Sequence, residues 1–103
     1  MSLDIYLKNT VAHKNITHNL GEMAEVLGIY KLLWRPEELF ISEARELIEP
    51  LKEAIEKMEK YPARYKKHDS ENGWGTYENF LPWLKEFLRD CEVNPSAEVV
   101  SSR

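Results

Sequence analysis

Residues 42–60 read SEARELIEPLKEAIEKMEK. The apolar residues Ala44, Leu47, Ile48, Leu51, Ala54, Ile55 and Met58 recur at intervals of three and four, which gathers them on one stripe of a helix. Glu46, Glu49, Lys52, Glu53, Glu56, Lys57 and Lys60 fall outside the stripe and face water. Ser42 suits the N-cap and Glu43 the first turn, where the helix dipole favours a carboxylate. Pro50 lies on the polar side, and the stripe keeps its phase across it. One long helix, kinked at Pro50, is therefore predicted. Its stripe has to be covered by the rest of the chain.

Two neighbouring segments supply that cover. Ile16, Leu20, Met23 and Leu27 form a stripe that predicts a helix capped by Asn15, carrying Gly21 in its middle and ended by Gly28. Tyr77, Phe80, Leu81, Leu84, Phe87, Leu88 and Cys91 predict a last helix, capped by Thr76 or Asn79 and ended by Asn94-Pro95. Between the first two helices, Tyr30–Trp34 reads as a short helical turn that stops before Pro36. Asn9–Lys14 and Tyr61–Gly75 read as irregular.

Strand signals stand only at the two ends. Leu3, Ile5 and Leu7 alternate with Asp4 and Tyr6. Ala97–Ser101 is short and β-branched, and a lone strand is not stable. The termini are thus expected to pair. The predicted fold is α+β and mainly helical, with three principal helices on a small two-stranded antiparallel sheet, as a single domain over residues 1–103.

Composition narrows the partners. The 103 residues carry a formal charge of -4, which opposes a broad duplex-binding surface. Three Trp, five Tyr and three Phe are a heavy aromatic load, and some of it can serve recognition. Cys91 is the only cysteine, so no intrachain disulfide forms. No signal-like leader or membrane-spanning run is apparent, and a reducing cytoplasm is the expected setting.

Three polar-aromatic runs are the candidate ligand-binding residues. Asn15, Thr17, His18 and Asn19 concentrate hydrogen-bonding groups at a predicted helix start. Trp34 and Arg35 set a guanidinium beside an indole at a rigid turn. In Asn72-Gly73-Trp74-Gly75-Thr76-Tyr77 the glycines let the backbone bend, so Trp74 and Tyr77 can stack a flat ring while Asn72 reads its edge. Each has a plainer reading: capping for Asn15, a surface Arg stacked on Trp34, and a Trp74 that folds back to plug the core.

Other groups carry less. His18 and Glu22 stand four apart, as metal ligands do on a helix, but a third ligand is unassigned, and no metal or cofactor is expected. Lys57, Lys60, Arg64, Lys66 and Lys67 interleave with Tyr61 and Tyr65, either a track for a single nucleic-acid strand or a solvated helix end. There is no GxSxG, HExxH or P-loop, so catalysis has thin support.

The combination SLDIYL, NITHNL with Met23-Ala24 close behind, GIY, LWRPEE, NGWGTYE and a C-terminal SR resembles a family of small uncharacterised bacteriophage and prophage proteins. The resemblance spans nearly the whole chain and implies a mobile-element context with no particular chemistry. Two functions are then expected. The first is a non-enzymatic binder of a small polar or nucleotide-like ligand that sequesters a host signal. The second is a protein-interaction module that inhibits a host defence protein. Exposed aromatics also leave room for a homo-oligomer.

Overall fold

Alternation does build the first strand, β1 (Ser2–Leu7), whose Leu3, Ile5 and Leu7 are buried. In the computed structural model, which describes residues 2–103, β1 is the centre of a three-stranded antiparallel sheet. One neighbour is β3 (Val99–Ser102), with Leu7 opposite Val99 and Asp4 opposite Ser102, so the chain ends pair as anticipated. The other is β2 (His13–Thr17), which pairs Ser2 with Thr17 and Leu3 with Ile16.

That third strand departs from the expectation that Asn15 opens a helix. HKNIT holds a single buried apolar residue, Ile16, and one residue fits either a helical or a strand period. Leu3 decides the matter by offering it a cross-strand partner. The hairpin turn is set by Asn9, whose φ of 65° is left-handed, and by Thr10, whose hydroxyl donates to the Leu7 carbonyl at 2.7 Å. Thr17, not Asn15, is the cap. Its hydroxyl oxygen accepts from the Asn19 amide at 3.2 Å at the head of a short 3-10 turn, His18–Leu20.

Helix α1 is consequently short, Gly21–Leu27, and Gly21 begins it instead of interrupting it. Gly28 closes it in the left-handed conformation at φ 80°. Helix α2 (Tyr30–Trp34) ends at Arg35 before Pro36. A 3-10 turn over Pro36–Leu39 then runs into Phe40, which is left-handed at φ 57° and almost fully solvent-exposed.

The spine helix is α3 (Arg45–Lys60), continuous through Pro50. Its start is capped by Glu46, not Ser42: the carboxylate accepts from the Ser42 and Glu43 amides at 2.8 Å each. Its stripe is buried at Leu47, Leu51, Ala54, Ile55 and Met58. Pro62 then opens a short α4 (Pro62–Lys66), within a stretch expected to be irregular, and it buries Tyr65. Helix α5 (Tyr77–Val93) packs along α3 and buries Phe80, Leu84, Phe87 and Cys91. Thr76 stands at its N-cap without a side-chain bond, and the Asp69 carboxylate takes the Tyr77 amide instead at 2.8 Å.

The core thus lies between one sheet face and the α3–α5 layer. Each fully buried Leu or Phe there contributes roughly 1.5–3 kcal/mol. Trp83, outside the predicted stripe, is also buried, and its indole N–H donates to the Asn15 carbonyl at 2.9 Å. This bond ties α5 across the outer edge of β2. The opposite sheet edge is met by the Ser42 carbonyl, which accepts from the Val99 amide at 2.8 Å. No helix among the described residues is long and apolar enough to cross a membrane.

Candidate functional site

The outer ends of β1 and β2 leave Ser2, Asn15 and Thr17 on the sheet face turned away from the core. Asn19 comes immediately after them in the 3-10 turn. Against this corner folds the loop from His68 to Thr76. The Asn72 side-chain oxygen accepts from the Ser70 hydroxyl at 2.6 Å and from the Trp74 amide at 2.9 Å, and the Ser70 amide donates to the Gly75 carbonyl at 2.8 Å. The loop is anchored at both ends: His68 Nδ1 lies 3.2 Å from Glu22 Oε1 on α1, and Asp69 caps α5.

Gly75 makes the closest approach. A Cβ there would stand 2.9 Å from the Asn19 Cβ and 3.0 Å from its carbonyl carbon, so only glycine lets the two backbones meet. With Gly75 pressed inward, its neighbour Trp74 is thrown outward and is 70% exposed. The result is a shallow recess of about 480 Å³ lined by Ser2, Asn15, Thr17, Asn19, Asn72 and Trp74.

Five of the nine candidate residues therefore meet: Asn15, Thr17, Asn19, Asn72 and Trp74. Four do not line the recess. Trp34 is 2% exposed and stacks flat on Tyr30, with ring centroids 5.1 Å apart. Burial in the core, where its large apolar ring gains most, takes it away from any ligand. His18 lies against Trp34 at 6.2 Å, and its Nε2 is buried with no hydrogen-bond partner among the described residues. Arg35 donates to Glu38 at 3.2 Å, and Tyr30 together with Glu38 pushes the guanidinium pKa still higher. Tyr77 is buried and spends its hydroxyl on the Met58 carbonyl at 2.6 Å, so it is a core residue and not a stacking platform.

Ser2 and Gly75 belong to the site although neither is among the nine candidates. Ser2 enters only through its register opposite Thr17, which no local pattern announces. Gly75 carried a signal in the Gly-Trp-Gly run, but the partner it approaches is 56 residues away in sequence (75 minus 19).

The electrostatics of the recess are mild. All six lining residues are uncharged. The Asp4 carboxylate touches the lining, accepting from the Asn15 amide nitrogen at 2.9 Å; Asn15 and then His13 hold its carboxyl below the usual range. A second hollow of about 410 Å³, lined by Lys14, Lys85, Glu86, Arg89 and Asp90, is crossed by the 2.8 Å Lys14–Glu86 pair. Among the described residues, no three His, Cys, Asp or Glu side chains gather as a metal site would require.

The chain matches no protein-family model, no curated protein and no solved structure.

Proposed function

We propose that this protein is a non-enzymatic binder of a small polar, ring-bearing ligand, with nucleotide-like compounds among the candidates. The observation that carries the reading is the 70% exposure of Trp74 beside the amides of Asn15, Asn19 and Asn72. An indole held in water by its own backbone loses contact area that burial would supply, and a ligand face restores it. The resemblance to phage and prophage proteins extends the reading to an accessory protein that sequesters a host signal in the host cytoplasm.

Calorimetry and tryptophan emission against a panel of nucleosides, nucleotides and sugars test it. A saturable response that disappears in Trp74→Ala is expected. Silence from the whole panel would sink the reading.

A second reading, a module that blocks a host protein, is favoured by one feature. Leu39 and Phe40 are 45% and 91% exposed, and Phe40 holds a left-handed backbone that bulky residues avoid. If that knob is the contact, Phe40→Ser releases a bound host protein while Trp74→Ala does not.

A further inference from the structure

We infer that the recess at Trp74 takes an uncharged sugar, a mono- or disaccharide seated with its C–H face on the indole. This inference rests on the proposed binding function and narrows it by ligand class.

The first ground is charge. A phosphate-bearing ligand is normally met by Arg, Lys or a run of free amides. None of the six lining residues is basic, and the Asp4 carboxylate is bonded to one of them, Asn15. An anion placed on Asn15 would face that carboxylate with no cation among the described lining residues to offset it.

The second ground is the hydrogen-bonding capacity left over. The Asn72 oxygen is spent on the Ser70 hydroxyl and the Trp74 amide, both donors, which fixes the orientation of its amide and leaves Nδ2 to donate. Asn15 is oriented the opposite way. Its Nδ2 donates to Asp4 and to the Ser2 hydroxyl oxygen at 3.0 Å, leaving its oxygen to accept. The Ser2 and Thr17 oxygens each accept one bond, so their hydroxyl hydrogens are left to donate. Free donors on Asn72, Ser2 and Thr17 and a free acceptor on Asn15 therefore share one recess with the indole. A sugar ring carries hydroxyls all round its rim, and each both donates and accepts. A nucleobase holds its polar groups in the ring plane and carries no hydroxyls.

The third ground is shape. The recess is open and of about 480 Å³, within the range of small-molecule sites and roomy enough for one or two sugar rings.

The test uses the full chain and its own fluorescence. Trp34 and Trp83 are buried, at 2% and 9% exposure, so Trp74 is the indole that a ligand reaches. Neutral mono- and disaccharides are titrated beside nucleosides and their nucleotides, with emission and calorimetry as readouts. At least one saccharide is expected to give a saturable shift that added salt leaves unchanged and that vanishes in Trp74→Ala. Asn72→Asp keeps the acceptor that holds the loop but removes the free donor, and is expected to weaken binding about tenfold with no loss of helical signal. Saturation by a nucleoside or nucleotide with no response to any saccharide would overturn the sugar assignment and leave the broader binding function standing. No response from either set would overturn both.

Discussion

A methyl group on Gly75 has nowhere to go, because Asn19 offers it both side-chain and backbone atoms within 3.2 Å. Gly75→Ala is expected to destabilise the fold by about 1–3 kcal/mol in urea titrations, by forcing the loop off the sheet corner. The emission of Trp74 should shift with it. Gly21 is the control: a Cβ there meets the Tyr30 ring at 3.5 Å, an ordinary contact, so Gly21→Ala should leave the fold intact. Cys91 shows the opposite face of burial. Enclosure, then the charges of Asp90 and Glu92, push its thiol up to about 12, and the thiolate is the reactive form. Labelling by a thiol reagent at neutral pH should be negligible in the native protein and complete in urea.

Between elements, the bond from Trp83 to Asn15 does what a fourth strand would otherwise do. Edge strands expose unpaired carbonyls that recruit other chains, and here α5 takes one of them. Trp83→Phe would keep the ring packing against Phe80 and Phe87, whose centroids lie 6.1 and 5.6 Å away. It would leave the Asn15 carbonyl without its donor. A loss of about 1–3 kcal/mol is expected, with a concentration-dependent rise in light scattering. Because Asn15 also lines the recess, the same variant should weaken ligand binding.

At the scale of the molecule, a Cα radius of gyration of 12.8 Å is what close packing gives about 100 residues. The acidic surface then sets the response to pH. The Glu43 and Ser42 amides hold the Glu46 carboxyl below its ordinary 4.5, Lys14 does the same for Glu86, and Asn15 does so for Asp4. A carboxyl with a depressed folded-state pKa favours the folded chain while it is ionised. That contribution is complete above the ordinary value near 4.5 and is lost as pH falls through the lower folded values. Melting temperature should therefore fall steadily below about pH 4.5. Glu46→Gln should lower it at neutral pH and shallow its acid dependence, as monitored by circular dichroism across pH 2–7.

How far the chain could be read without coordinates depends on how local each signal is. Helical stripes are local: the buried residues of α3, and those of α5 apart from Trp83, can be read from spacing alone, because burial repeats with the turn of the helix. The pairing of the two ends was legible too, since β1 had an evident partner in the C-terminal segment. β2 was not, because a single apolar residue satisfies either period until Leu3 claims it. The fates of the aromatics were the least legible. Trp34, Trp74 and Tyr77 are similar in type, yet two are core and one is thrown into water. They are separated by the contact of Gly75 with Asn19 and the bond of Tyr77 to Met58, each joining positions far apart along the chain. Sequence alone determined which faces are apolar, and so the fold class. Only the tertiary structure decided which polar residues share a corner, because that is fixed by backbone approach between distant segments and leaves no periodic trace.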